Sequence, residues 1–201
     1  MNVAVIDYGA GNLLSVTNAL RKLGAEPRIV ADPSEIDGAS HLILPGVGAF
    51  GDCMRQLDER GFCEPVRQWI ASDLPFFGIC LGYQLLFESS EESPGVDGLG
   101  IFPGRVVRFQ DQGLKIPHMG WNAAVPTRPG DPLWQNLGSE PYFYFVHSFF
   151  PRPDDPELVA THTKYGESFA SAIQRGQLTA TQFHPEKSQT AGLKLLGSFL
   201  K

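Results

Sequence analysis

Four short, largely apolar runs divide the first half of the chain, each parted from the next by a turn or a helical pattern. They occupy residues 3–8, 28–31, 41–44 and 75–80. Runs that are apolar at nearly every position belong to strands buried on both faces, and helices between them supply the cover. Between the first two, Leu13, Val16, Leu20 and Leu23 fall on one helical face. Asn12 suits the N-cap of that helix and Gly24 the position just past its end. One or two helices are expected over residues 52–72, and another over 81–89. The expectation is an α/β fold: a mostly parallel central sheet with helices on both faces.

The second half reads differently. β-rich segments lie near residues 105–109, 142–150, 157–163, 169–174 and 178–183, separated by Gly/Pro turns, and imply hairpins or an antiparallel extension of the sheet. A closing helix over 190–200 carries Leu193, Leu196 and Leu200 on its inner face. No repeat or linker interrupts residues 1–201, which read as one domain.

Composition narrows the function. Hydrophobic residues make up 42% and charged residues 19%, an ordinary globular balance. No apolar run approaches the roughly 18 residues that span a bilayer, and the N-terminus lacks a signal-peptide pattern, so a soluble cytoplasmic protein is expected. Net charge is −6 with the positive charges scattered, which argues against a nucleic-acid partner. The three cysteines, Cys53, Cys63 and Cys80, form no C-x-x-C pair, so neither a disulfide framework nor structural zinc is expected. No histidine pair has metal-ligand spacing, and no metal is expected. Gly9-Ala10-Gly11 follows the first strand, but a dinucleotide fingerprint needs glycine where Leu14 stands. No cofactor is expected.

The most informative stretch is Gly78-Ile79-Cys80-Leu81-Gly82-Tyr83-Gln84. A buried strand ends at Cys80 and a helix begins at once, with glycines two residues to either side. This is the cysteine form of a nucleophile elbow. The positive end of the helix favours a thiolate, and backbone N–H groups starting at Leu81 point where an oxyanion would form. Cys53 and Cys63 have no such setting and are assigned to packing.

A cysteine nucleophile wants an imidazole beside it and a carboxylate behind that. His184 ends a strand and opens His184-Pro185-Glu186-Lys187-Ser188. In extended chain, residues two apart face the same side, so Glu186 can hold one ring nitrogen and leave the other for Cys80. His41 and His162 read as structural. His118 and His147 stand in unusual local contexts, His118-Met119-Gly120-Trp121-Asn122 and Tyr144-Phe145-Val146-His147-Ser148-Phe149. Pro45-Gly46-Val47-Gly48 has glycines that let N–H groups turn toward a negative charge. Spacing alone does not choose between an oxyanion loop and an ordinary turn there.

Together these motifs resemble the class I (triad) glutamine amidotransferases, a flavodoxin-like fold family, over essentially the whole chain. Within that class the match is closest to glutaminase subunits of imidazole glycerol phosphate synthase, on Asp7-Tyr8-Gly9-Ala10-Gly11-Asn12, the loop 45–51, His118-Met119-Gly120-Trp121-Asn122, Tyr144-Phe145-Val146-His147-Ser148 and His184-Pro185-Glu186-Lys187-Ser188. The resemblance implies that Cys80 attacks the side-chain amide of glutamine, with His184 and Glu186 completing the triad. It implies oxyanion donors among Gly46, Val47, Gly48 and Leu81. It implies substrate contacts at Gln84, His147, Ser148 and Phe149, the last through its backbone, with Glu92 or its neighbour Glu91 for the ligand's ammonium. The partner it implies is a (β/α)₈-barrel cyclase that consumes the ammonia, met at a face holding Asn12, Trp121 and Lys187. The resemblance also implies an oxyanion loop that this partner reorients, and so weak activity in isolation.

Read without the resemblance, those three residues are a helix cap, a core aromatic and a solvated lysine. Three further readings stay open at this level. Another class I glutaminase shares the triad but not His-Met-Gly-Trp-Asn. A cysteine peptidase shares the elbow but has no need of Gln84. A silent binding subunit would be free to lose Cys80, His184 and Glu186.

Overall fold

The structure, a computed structural model, describes residues 1–110 and 113–201. The chain opens with β1 (Asn2–Ile6), α1 (Leu13–Lys22), β2 (Glu26–Val30) and β3 (His41–Gly46). Helices α2 (Phe50–Glu59) and α3 (Cys63–Ala71) lead to β4 (Phe76–Cys80) and the single turn α4 (Leu81–Gln84). Then come β5 (Phe87–Ser90), β6 (Phe102–Arg108), β7 (His118–Ala123), β8 (Val125–Pro126), β9 (Tyr142–His147) and β10 (Phe149–Pro153). The last elements are β11 (Val159–Tyr165), β12 (Glu167–Arg175), β13 (Leu178–Thr181) and α5 (Gln189–Phe199).

Eight strands form the main sheet in the order β2-β1-β3-β4-β13-β12-β11-β8. Pairings from β2 to β13 are parallel, and those from β13 to β8 are antiparallel. This is the expected parallel sheet with an antiparallel extension. The strand pattern has the expected cause. Ala4, Ile6, Leu42 and Leu44 point into one core with Phe50, Leu57, Phe62 and Val66 of the α2–α3 side. Val3, Val5, Ile43 and Phe77 point into the other, against Val16 and Leu20 of α1 and Leu195 and Leu196 of α5. Alternate residues serve opposite layers, so a strand covered on both faces must be apolar throughout.

Helix α1 is bounded as expected. The Asn12 side chain accepts from Ser15 N at 3.3 Å, and Gly24 follows the C-cap with φ +82°. Helix α5 buries Leu196, with Leu200 just past its end, as expected, together with Leu195 and Phe199, and departs only at Leu193, which is partly buried. Two larger departures lie near the site. The helix expected over 81–89 stops after one turn, because the next carbonyls are taken by another segment. Leu85 O accepts from Leu99 N at 2.8 Å, Leu86 O from Ile101 N at 2.9 Å, and Phe87 O from Gly100 N at 3.2 Å. Tertiary pairing thus overrides helical propensity, and residues 87–90 become a strand beside β6. Strand β7 was not expected, since Gly120 and Asn122 suit strands poorly. It forms because β9 offers a full antiparallel register, from His118 opposite His147 to Ala123 opposite Tyr142. No helix among the described residues is long and apolar enough to cross a membrane.

The tightest contact in the sheet–helix packing is at Gly82, where an added Cβ would lie 1.9 Å from the Leu44 carbonyl oxygen. Backbone cannot yield there as a flexible side chain can. Gly82→Ala should therefore lower unfolding free energy by ~3 kcal/mol or more. Gly130→Ala, whose Cβ meets nothing within 4 Å, should change it by less than ~0.5 kcal/mol. Urea denaturation of both variants measures the difference, and equal effects would contradict the packing argument.

Candidate active site

Strand β4 delivers Cys80 to the C-terminal edge of the parallel strands, where open α/β sheets place their sites. Its backbone lies at φ 55°, ψ −105°, outside the regions that non-glycine residues favour. Such strain costs about 1–3 kcal/mol and persists only where surroundings enforce it. Here they do. A Cβ at residue 78 would sit 2.8 Å from Gly82 O, and Gly82 itself abuts Leu44 O of β3. Gly46 lies opposite Cys80 in the β3–β4 register, and a Cβ there would meet Tyr8 Oη at 2.6 Å. The glycines around Cys80 are thus close-approach positions, and the sharp strand-to-helix turn is present. The helix behind it is a single turn, so little macrodipole bears on the sulfur.

His184 follows β13. Its N–H donates to Tyr144 O at 3.0 Å, and its carbonyl accepts from Ser188 Oγ at 2.6 Å. Residues Pro185–Lys187 form a 3₁₀ turn rather than extended chain. The turn still brings Glu186 back, with Oε1 2.9 Å from His184 Nδ1, both side chains nearly fully buried. Helix α5 holds this turn closely, since a Cβ at Gly192 would lie 1.8 Å from Pro185 O. His184 Nε2 is buried without a hydrogen-bond partner among the described residues. Burial by itself would depress the imidazole's pKa. The facing Cys80 sulfur and the Glu186 carboxylate outweigh it and raise the group to about 10. With Nε2 unbonded, the influence of Cys80 is that of a nearby charge rather than a formed bond.

Cys80 and His184 line one pocket of about 290 Å³. Val47, Gly48 and Leu81 line it too, while Gly46 is buried beneath. Gly48 has φ +115°, and the Val47 carbonyl accepts from Cys53 Sγ at 3.6 Å. Leu81 opens α4, so its N–H has no intrahelical acceptor. Gln84, Glu92, His147, Ser148 and Phe149 complete the expected set around the cavity. Gln84 is recast in one respect: its Nε2 donates to Phe149 O at 3.0 Å and to Gln182 Oε1 at 3.1 Å, leaving Oε1, which bonds to none of the described residues, for a ligand. Of the two acidic neighbours, Glu92 faces the pocket and also accepts from Phe50 N at 2.8 Å, at the start of α2. Glu91 turns away to accept from Arg108 N at 2.9 Å.

Pro117 and Val146 line the pocket and were not expected; apolar wall residues carry no chemical signature in sequence. Gln182 was also missed, although it stands two residues before His184. Asn12, Trp121 and Lys187 lie on linked surface elements. Trp121 is 47% exposed, not a core aromatic, and meets Tyr144 edge-on at 6.3 Å. Lys187 Nζ sits 6.0 Å from the same tyrosine ring, and a shallow depression joins Lys187 to Ser15 on α1, the residue capped by Asn12. A larger groove of about 760 Å³ is lined by Met1, Leu23, Leu193 and Leu200, and neither Cys80 nor His184 reaches it.

The class-I glutamine amidotransferase family model matches residues 4–201. The imidazole glycerol phosphate synthase subunit HisH of Synechococcus elongatus is 51% identical over 200 residues, covering 98% of this chain and 92% of the relative. The protein of the same name from Syntrophotalea carbinolica is 50% identical over 203 residues, covering 98% of each. Among solved structures, a glutamine amidotransferase crystal structure superposes with TM-score 0.77 at 22% identity, over 98% of this chain and 96% of that one. PurLQS from Thermotoga maritima superposes with TM-score 0.78 at 19% identity, over 99% and 97%. These structures agree in fold, and the family match and the close relatives fix the membership: the chain belongs to the class-I glutamine amidotransferases.

Proposed function

We propose that this chain is the glutaminase subunit of an imidazole glycerol phosphate synthase, a single domain across residues 1–201 acting in the cytoplasm. The observation that carries the reading is the His184–Glu186 pair, whose free Nε2 shares a pocket with Cys80. The relatives' shared name supports the choice of synthase.

In this mechanism the Cys80 thiolate attacks the side-chain carbonyl carbon of glutamine. The developing oxyanion is met by N–H groups from Leu81 and from the loop of Gly46, Val47 and Gly48. As the tetrahedral carbon collapses, its C–N bond breaks and the His184 imidazolium gives its Nε2 proton to the departing nitrogen, which leaves as ammonia. Water then adds to the glutamyl thioester and yields its proton to Nε2. The C–S bond breaks, releasing glutamate and restoring the thiolate–imidazolium pair. Glu186 stabilises the imidazolium in both halves. Gln84 Oε1, Glu92 and the chain at His147, Ser148 and Phe149 hold the amino-acid end of the substrate. Ammonia passes to a (β/α)₈-barrel cyclase docked near Asn12, Trp121 and Lys187.

Glutamate release by the purified chain, with and without the cyclase and its substrate, tests the reading. Release should rise strongly when both are added and vanish in Cys80→Ala. Equal rates without the partner would contradict the gating of the loop, and unchanged release by Cys80→Ala would contradict the nucleophile.

A second prediction follows from the imidazole's raised pKa. Because it stays protonated as pH climbs toward 10, the alkaline loss of kcat/KM should come late. Glu186→Gln removes one of the charges that raise it, so the alkaline limb should move to lower pH. Its kcat should fall by ~100-fold or more. An unmoved limb in the pH–rate profile would count against Glu186 as the group that stabilises the imidazolium.

A further inference from the structure

The Cys80 sulfur has a polar neighbour outside the triad. Gln182 Nε2 lies 3.7 Å from Cys80 Sγ, in donor geometry. Gln182 is fully buried, and its own N–H donates to Ser171 O at 2.8 Å, so the backbone that carries it is pinned to β12. A carboxamide can be turned end for end with little change in shape, and its orientation must come from its neighbours. Here they leave one choice. The Phe149 carbonyl oxygen can only accept, and it takes Gln84 Nε2 at 3.0 Å. Gln84 is thereby oriented, and the second hydrogen on its nitrogen goes to Gln182 Oε1 at 3.1 Å. With its oxygen engaged there, Gln182 presents its nitrogen to the sulfur.

The anchor of this chain is itself fixed. Phe149 O also accepts from His147 Nδ1 at 2.8 Å, so His147 Nε2 accepts from His118 Nδ1 at 2.9 Å. Burial pushes these imidazoles down to about 3 and about 4, and the pair stays neutral near pH 7. Other titratable groups around Cys80 are His184 with Glu186 behind it, Glu92, which lines the same pocket and accepts from Phe50 N, Tyr8 of the β1 end and Cys53 of α2. Burial holds the Tyr8 phenol well above its usual range and the Cys53 thiol at about 11, so neither places an anion beside the sulfur.

We propose that Gln182 is a further functional residue of the nucleophile, donating an N–H bond to the Cys80 thiolate in an orientation set by Gln84 and the Phe149 carbonyl. A donor held at this place stabilises S⁻ more than S–H, since hydrogen bonds to charged acceptors are the stronger ones. It also fixes the direction from which sulfur presents its remaining lone pairs to the pocket. The inference rests on Cys80 being the attacking group, but its test needs neither glutamine nor a partner.

The full chain carrying Gln182→Met, similar in volume but without either polar end, is alkylated with iodoacetamide from about pH 5.5 to 9. Labelling is counted on the peptide that carries Cys80. Relative to the parent, alkylation at about pH 6 should slow by ~tenfold, and the two rates should converge within about twofold near pH 9. A profile unchanged at every pH, or slowed equally at every pH as in a merely structural role, would overturn the proposal. If Gln182→Met does not fold, as judged by thermal melting, Gln182→Glu is read in the same assay. That variant keeps the oxygen that accepts from Gln84 and sets a carboxylate beside the sulfur, so alkylation near pH 8 should slow by ~tenfold or more. A parent-like rate would overturn the proposal. Loss of glutamine hydrolysis in Cys80→Ala is a separate readout, so this inference and the glutaminase reading can fail independently.

Discussion

The carbonyl oxygen of Leu44 and the α-carbon of Gly82 approach so closely that only hydrogen fits between them. That contact decides where β4 must stop and turn. With it go the positive φ of Cys80, the seating of α4 against β3, and the place of Gly46 level with Cys80 in the sheet register. The strain stored at Cys80, about 1–3 kcal/mol, is held by two cores that cover the sheet on both faces. Everything the site does begins from the sulfur's position at that turn.

Electrostatics then follow from burial. His184 would lose its proton readily in an apolar setting, yet the Cys80 sulfur and Glu186 hold it protonated. His147 and His118, also buried but with no carboxylate partner among the described residues, are pushed the other way. The same side chain thus ends protonated at one place and neutral at another within one site. The neutral pair orients the Phe149 carbonyl, and through Gln84 that orientation reaches the sulfur.

Much of this was legible in the amino-acid sequence, for reasons that name its limits. Strands buried on both faces advertise themselves as unbroken apolar runs, so β1, β3 and β4 could be placed. The elbow could be placed because steric demand leaves glycines at 78 and 82. His184 and Glu186 could be joined by their spacing, although the connection is a 3₁₀ turn rather than extended chain. Residues 85–90 misled because their apolar run fits a helix equally well; only the 98–102 segment, distant in sequence, claims their carbonyls. Strand β7 was hidden by Gly120 and Asn122, whose propensities oppose a pairing that β9 imposes. Gln182 was within reach, since the two-residue spacing that links His184 to Glu186 also links it to His184. Its meaning still needed Gln84 and Phe149, far away in the chain and adjacent only when folded.

In the proposed function, the strained turn makes the Cys80 sulfur the atom to which the glutamyl group is transferred. Rapid acid quenching of the chain with excess glutamine and the proposed cyclase partner, followed by mass spectrometry of the peptides, measures this directly. One glutamyl group is expected on the peptide carrying Cys80, formed no more slowly than glutamate appears. Glutamate formation with no such adduct, or an adduct on Cys53 or Cys63 instead, would contradict it.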